Sequence, residues 1–421
     1  ATTASNNTAV GWHALTANTT GASNTALGLS SLESNTTASH NVAVGVSCMA
    51  NNTTGAENTA MGNYALDANT TGAYNVAMGV HALGANTTAN RNVAIGYEAL
   101  DATTTGADNV AIGHTALGAN TTAANNVAVG YLALRDNTTG ASNTGVGYGA
   151  IASNVTGDEN TAFGFQALVA YTGSEGTAVG WNALAANTTG DSNTAVGRAA
   201  GDAITTGSNN TVVGQEALTD LITGDSNTAF GRKSLQDALG SNNTACGKSA
   251  GAAVTTGSNN LFLGIDAGRS GSPGGEISTA SNEVGIGDEN ISAANIQVDW
   301  TIASDKRDKT DVSPMDLGLE FINKLEPVTY RWDKRSKYNK DQSVVPDGTH
   351  KEEQLEGGFL AQDVEAIEEE YGYAYSDKTN LITHLSEDGK MYGIKYSKLV
   401  PMLTKAVQEL SAEVEELKKK A

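Results

Sequence analysis

The stretch Asn58-Thr59-Ala60-Met61-Gly62-Asn63-Tyr64-Ala65-Leu66-Asp67-Ala68-Asn69-Thr70-Thr71-Gly72-Ala73-Tyr74, followed at once by Asn75-Val76-Ala77-Met78-Gly79, sets the fold of most of the chain. Its central glycine belongs to a series. Gly11, Gly28, Gly45, Gly62, Gly79, Gly96, Gly113, Gly130, Gly147 and Gly164 stand 17 residues apart, and Gly180, Gly197, Gly214, Gly231, Gly247 and Gly264 continue with two spacings of 16. A unit this short cannot bury a core alone, but stacked copies can. The reading is a mainly β chain: a parallel β-solenoid or β-roll of about sixteen repeats, on the order of 75 Å long at ~4.8 Å per rung.

Each position of the unit has a physical reading. The residue before the glycine is apolar (Val10, Leu27, Met61, Ile95, Phe163), a small residue precedes it (Ala9, Ala26, Ala43), and Thr or Val comes before that. This predicts a short strand with β-branched residues on one face and small residues on the other. The glycine permits a bend that a side chain would obstruct. A second apolar pair follows, as in Ala14–Leu15 and Ala65–Leu66, and the Asn-Thr-Thr-Gly segment is turn chemistry. An asparagine four residues before the glycine recurs in every copy but the one where Gly176 stands, and is either a stacked amide ladder or a turn former.

Composition agrees with a narrow interior. The 421 residues include 48 Gly, 5 Pro and only 5% aromatics, so small residues must fill the core. The net charge of −21 disfavours nucleic acid and anionic lipid as partners. Residues 1–300 carry 7 Lys+Arg against 22 Asp+Glu, and residues 301–421 carry 18 against 24, so the repeat region is sparsely charged and the end is charge-rich. No apolar run approaches the ~18–20 residues of a membrane span, so no membrane insertion is expected. The chain opens inside a repeat without an initiator Met and is expected to be a fragment whose attachment region lies elsewhere.

Cys48 and Cys246 both read as core positions of different rungs. Twelve rungs at ~4.8 Å put them roughly 55–60 Å apart, far beyond the ~7 Å a disulfide spans, so both are expected to be free and buried. His13, His40, His81, His114, His350 and His384 show no metal-ligand spacing, and no metal or cofactor is expected. No close carboxylate pair recurs, which argues against glycoside hydrolysis by the repeats. Trp12 and Trp181 share the position after the repeat glycine and read as isolated packing residues, with sugar stacking as the alternative.

The repeats fade after Gly264. Residues 1–269 form the repeat region, and residues 270–300 a junction with a flexible Ser270–Gly275 insertion, a degenerate rung at Asn282–Gly287 and a final strand at Ile296–Ile302 with Trp300 as a plug. From 301 to 421 an α+β domain is expected: a helix over Pro314–Leu325, strands at Val328–Trp332, Gly358–Leu360 and Tyr392–Tyr396, a polar loop over 333–356, a helix at Gln362–Glu370, and a terminal helix over 399–420. In that last helix Leu403, Val407, Leu410, Val414 and Leu417 are spaced 4, 3, 4, 3, a heptad seam that favours an oligomeric coil over packing on its own domain.

Four segments carry a resemblance. Ser304-Asp305-Lys306-Arg307-Asp308-Lys309, Leu325-Glu326-Pro327-Val328-Thr329-Tyr330, Gly358-Phe359-Leu360-Ala361-Gln362-Asp363-Val364, and Tyr396…Leu399…Ala406-Val407-Gln408-Glu409-Leu410 resemble, in order, the motifs of the intramolecular chaperone domain of the S74 peptidase family. The repeats are similar in style to the heads of trimeric adhesins and the shafts of phage fibres. The resemblance implies a viral tail fibre or tailspike on the virion, a homotrimer that attaches to a glycan or protein receptor on the host surface. Its terminal domain would drive three chains into register and then cut itself off once, by a Ser–Lys dyad, without turnover on other substrates. It implies Ser304 as nucleophile, Lys309 as base and the Ala303–Ser304 bond as the cut. Asp305 and Arg307 would form a structural ion pair or else orient the dyad, and Gln362 is read as a buried amide, with an oxyanion donor as the alternative. Two other readings stand beside this one: a cell-surface trimeric adhesin with the same chaperone, and an ice-binding solenoid built on the threonine arrays.

Overall fold

The computed structural model describes residues 3–272, 275–291, 293–297, 302–338, 343–387 and 389–421. The chain divides into two compact units, Ala1–Leu261 and Phe262–Ala421.

The first unit is the solenoid. Three-residue strands, one per repeat, run from β1 (Thr8–Val10) to β16 (Leu261–Leu263), which straddles the boundary between the units. From β1 to β15 each pairs in parallel and in register with the next: Thr59 lies opposite Val76, Ala60 opposite Ala77, and Met61 opposite Met78. The middle residue of each strand points inward, so Ala60, Ala77 and Ala94 are fully buried, and the residue before the glycine points outward. Inside, the strand alanine meets the second apolar pair, as in Ala65–Leu66 and Ala82–Leu83, all without solvent contact.

The repeat glycine has a backbone no other residue would adopt easily. Gly45 has φ +140°, and a Cβ there would sit 2.5 Å from the carbonyl oxygen of Gly62 in the next rung. Beyond the glycine the chain turns through left-handed conformations at Tyr64 (φ 58°) and Leu66 (φ 53°), a pattern that recurs along the unit. Such residues are strained in isolation. Here they are held from both sides: Tyr64 N–H donates to Val46 O at 2.9 Å in the preceding rung, and Leu66 N–H to Ala82 O at 2.9 Å in the following one.

Two columns of buried asparagine complete the wall. At the position expected for a ladder, the Asn58 side-chain oxygen accepts from Asn75 N–H at 2.9 Å, and its Nδ2 donates to Gly72 O at 2.8 Å. This column therefore works mainly by side chain to backbone. It also carries amide-to-amide bonds, as from Asn75 Nδ2 to Asn58 Oδ1 at 3.2 Å, and a second amide ladder runs through the asparagine of the Asn-Thr-Thr-Gly turn: Asn69 Nδ2 donates to Asn52 Oδ1 at 2.8 Å, and Asn86 Nδ2 to Asn69 Oδ1 at 2.9 Å. The turn segment is thus part of the buried wall as well as a turn.

The structure corrects the reading of one cysteine. Cys48 is buried and free, but Cys246 is exposed. It occupies the outward position before the repeat glycine, where the apolar residues line the outer sheet face.

The second unit begins with the end of β16 and contains β17 (Val284–Ile286), the degenerate rung, with Gly287 N–H donating to Leu263 O at 2.8 Å. Ser272, at the start of the Ser270–Gly275 segment, is buried, and its hydroxyl bonds Asp266 O at 3.0 Å; residues 273–274 lie outside the described residues. The final strand expected at Ile296–Ile302, with Trp300, falls largely on 298–301, also outside them.

The helix expected over Pro314–Leu325 is only α1, Leu319–Lys324. Strand β18 (Val328–Tyr330) pairs antiparallel with β19 (Glu356–Gly358). Helix α2 spans Ala361–Glu370, β20 (Thr383–Leu385) pairs with β21 (Tyr392–Ile394), and α3 spans Leu399–Lys420. Leu317, Phe321, Leu325, Val364, Ile382, Leu399 and Met402 form the core. Glu368 of α2 is buried among them and accepts from Leu381, Ile382 and Thr383 N–H and from the Thr383 hydroxyl at 2.6–3.1 Å, which fixes the start of β20.

Candidate functional site

Two surfaces and one side-chain pair stand out. The first surface belongs to the solenoid. Leu27, Met61, Ile95, Ile112, Phe163, Val179, Val196 and Phe230 all occupy the outward position before the glycine and are exposed. An apolar sheet face of this length is unusual on a solvated surface.

One residue beyond the glycine, Tyr97, His114, Tyr131, Tyr148, Phe165 and Trp181 form a stacked column with centroids 5.1–6.3 Å apart. Trp181 therefore ends a six-ring stack and is not an isolated residue. The four inner rings have a ring against both faces, whereas Tyr97 and Trp181 at the ends each have one ring neighbour. The column works as cement between rungs. Its signal was legible as aromatic or histidine residues at one position in consecutive copies. Trp12 stands apart from this column, exposed and tilted against His13 at 4.1 Å.

The threonines that invited an ice-binding reading are partly spent inside the solenoid. Thr70 Oγ1 donates to Thr87 O at 3.0 Å, and Thr53 Oγ1 to Thr70 O at 2.9 Å, so these hydroxyls bind the neighbouring rung.

In the second unit, a short 3-10 helix at Lys306–Asp308 brings Lys309 back beside Ser304. Asp305 caps it, accepting from Arg307 N–H at 2.9 Å, and pairs with the Arg307 guanidinium at 2.6 Å. The arginine beside it holds the Asp305 carboxyl below the usual range, and the carboxylate raises the Arg307 guanidinium. This capped turn places Lys309 Nζ 2.6 Å from Ser304 Oγ. Both side chains, and Ala303, are exposed in the single chain. Here Lys309 Nζ donates to the hydroxyl.

Gln362 lies in the first turn of α2 and is exposed, so the expectation of a buried amide is corrected. The turn into α2 points Val364 into the core, and Gln362, two positions earlier, falls on the solvent side.

The second surface is on α3. Leu399, Met402 and Ala406 pack inward, while Leu403, Val407, Leu410, Val414 and Leu417, the heptad seam, are 39–66% exposed. Near its start, Val400, Leu403, Thr404, Val407 and Gln408 line a shallow groove.

These features define a class: a repeat-built β-solenoid joined to a small α+β unit that ends in a helix with an open apolar seam. Residues 304–373 match the peptidase S74 family, described as chaperone of endosialidase, so the second unit carries a domain of that kind. The match begins at Ser304, includes the first three segments that carried the resemblance, and ends before α3. No curated protein matches the chain.

Proposed function

We propose that the chain is the distal part of a viral tail fibre, carried on the virion, whose C-terminal unit assembles three copies and then cuts itself from the solenoid between Ala303 and Ser304. The observation that carries this reading is the Ser304–Lys309 contact of 2.6 Å at the first residue of the chaperone match.

In the proposed step, Lys309 takes the proton of Ser304 Oγ, and the oxygen attacks the carbonyl carbon of Ala303. The C–N bond breaks as the nitrogen of Ser304 takes up a proton, leaving an ester. Water hydrolyses the ester to the Ala303 carboxylate and a free Ser304 with its hydroxyl restored. A serine hydroxyl attacks poorly without such a base. The exposure of the dyad in one chain supports gating: burial between three assembled chains would favour the neutral lysine, so cutting would follow assembly.

The open seam of α3 and the outer apolar face of the solenoid support a homotrimer, because each leaves apolar area that neighbouring copies would cover. The assembled solenoid is the part that would reach a glycan or protein receptor on the host.

The test is expression of the chain beside Ser304→Ala, followed by denaturing gel and mass spectrometry. Pieces 1–303 and 304–421 from the unaltered chain, with the variant intact, are the expected result. Full-length chains in both samples, with trimers still formed, would make the unit a retained chaperone and remove the catalytic assignment.

A further inference from the structure

The proposed cut lies inside the second unit, so residues upstream of it are packed in one unit with the domain downstream. A set of polar contacts joins the two sides of the Ala303–Ser304 bond. Glu387, just beyond β20, turns its carboxylate onto three consecutive backbone amides: Ser278 N–H at 3.1 Å, Thr279 N–H at 3.1 Å and Ala280 N–H at 3.0 Å. Lys334 Nζ donates to Glu289 O at 2.6 Å, and Lys337 Nζ donates to the side-chain oxygen of Asn290. In every one of these contacts one partner precedes residue 303 and the other follows residue 304.

Three successive N–H groups converging on one carboxylate form an anion-binding concavity. Its occupant is a side chain of the same molecule, supplied from more than a hundred residues away. Two lysines hold the turn at Glu289–Asn290, downstream of β17. While the chain is intact, covalent linkage keeps these groups at high effective concentration. Cutting the bond removes that linkage and leaves the contacts in place.

We propose that this nest and the two lysines form a latch that holds the cut C-terminal piece on the upstream piece, so that cleavage and release are separate steps. The proposal rests on the reading that the chain is cut at Ala303–Ser304, and its partner is the 278–290 segment of the upstream product. Glu387 and Thr279 are exposed, so added salt screens the latch and speeds release.

The test separates the latch from the dyad. A recognition sequence for a site-specific protease is inserted between residues 303 and 304 in the Ser304→Ala chain, so that the cut does not depend on self-processing. The digested protein is followed by size exclusion with mass identification at about 0.05 M and about 0.5 M salt. The pieces are expected to co-elute at low salt and to separate at high salt. Glu387→Gln is expected to speed dissociation about tenfold at low salt by weakening charge-assisted bonds, and Lys337→Met to act the same way from the other contact. If Glu387→Gln fails to fold, the Lys337→Met chain carries the comparison. Separation on digestion at low salt, or unchanged dissociation in the folded variants, overturns the latch. Failure of self-processing shows differently: the unaltered chain stays whole without protease, whatever the digested chain does.

Discussion

Replacing Asn109 by Ala tests whether the buried asparagine columns carry the stability of the solenoid. Asn109 is fully buried; its Oδ1 accepts from Asn126 N–H at 2.9 Å, and its Nδ2 donates to Ala123 O at 2.9 Å and to Asn92 Oδ1 at 3.2 Å. After truncation Ala123 O keeps a bond from Asn120 Nδ2 at 3.2 Å, but the Asn126 amide loses its acceptor. One orphaned buried donor and the lost carbonyl bond together cost about 2–3 kcal/mol. That is a factor of roughly 30 to 150 in the local opening constant. Because each rung contacts only its neighbours, the loss should appear at the affected rungs first. Hydrogen exchange read by mass spectrometry should show protection falling around residues 109–126 and little change near residue 30, with a lower urea midpoint. Replacing exposed Thr122 by Ala in the same turn, outside the left-handed positions, serves as control. Unchanged protection at Asn126, together with a midpoint equal to the control, would reduce the asparagines to turn formers and refute the reasoning.

Other outcomes follow from particular contacts. Gly45→Ala places a Cβ against Gly62 O in a backbone with φ +140°, and should abolish the cooperative solenoid transition in circular dichroism. The Cys48 thiol is pushed up to about 12 by burial, so it should not react with a thiol reagent at pH 8 until the chain is unfolded, while exposed Cys246 reacts in the folded single chain. Glu409 is held below its usual 4.5 first by the Leu319 N–H and then by Lys405. Its stabilisation of α1 against α3 is therefore present above the ordinary 4.5 and lost as pH falls through the lowered value; urea midpoints of Glu409→Gln should lie below the unaltered chain at pH 7 and converge with it as the carboxylate is protonated in acid. Leu410→Asp on the open seam should leave α3 helical yet prevent assembly, as read by analytical ultracentrifugation; trimers in that variant would remove the seam from the interface.

The strand, bend and inner alanine of each rung were legible because one glycine spacing fixes all three. The misread residues have physical causes. Cys246 looked like a core residue because apolar side chains fill its column, yet the pleat turns that column outward and the small residue before it inward. Amide-to-amide bonds run in the expected column at some rungs and also in a second column, which was not sought because an asparagine beside Thr-Thr-Gly satisfies turn chemistry as readily as stacking. Helix α1 is short because residues before Gly318 do not take helical geometry, and its first amide is capped by Glu409, 90 residues away, which no local pattern reveals. The Ser304–Lys309 pairing was legible only through the resemblance. Five residues of separation mean little until a capped 3-10 turn folds them together.

The two short repeats carry a consequence for how such a molecule changes. Between Gly164 and Gly180, and again between Gly231 and Gly247, one residue is missing from the turn, where Tyr171 and Ala238 stand in the asparagine column. The strands nevertheless stay in step, with Thr161 opposite Thr177 and Thr228 opposite Thr244, and Gly173 and Gly240 still receive the asparagine donors at 2.9 Å and 3.0 Å. A repeat one residue shorter is thus absorbed at the turn, and duplication or loss of a whole repeat would keep the strand register and backbone pairing of the rungs on either side. The repeat number is a ruler graduated in steps of about 4.8 Å, and the solenoid can be lengthened or shortened by copying while its strand pairing is kept.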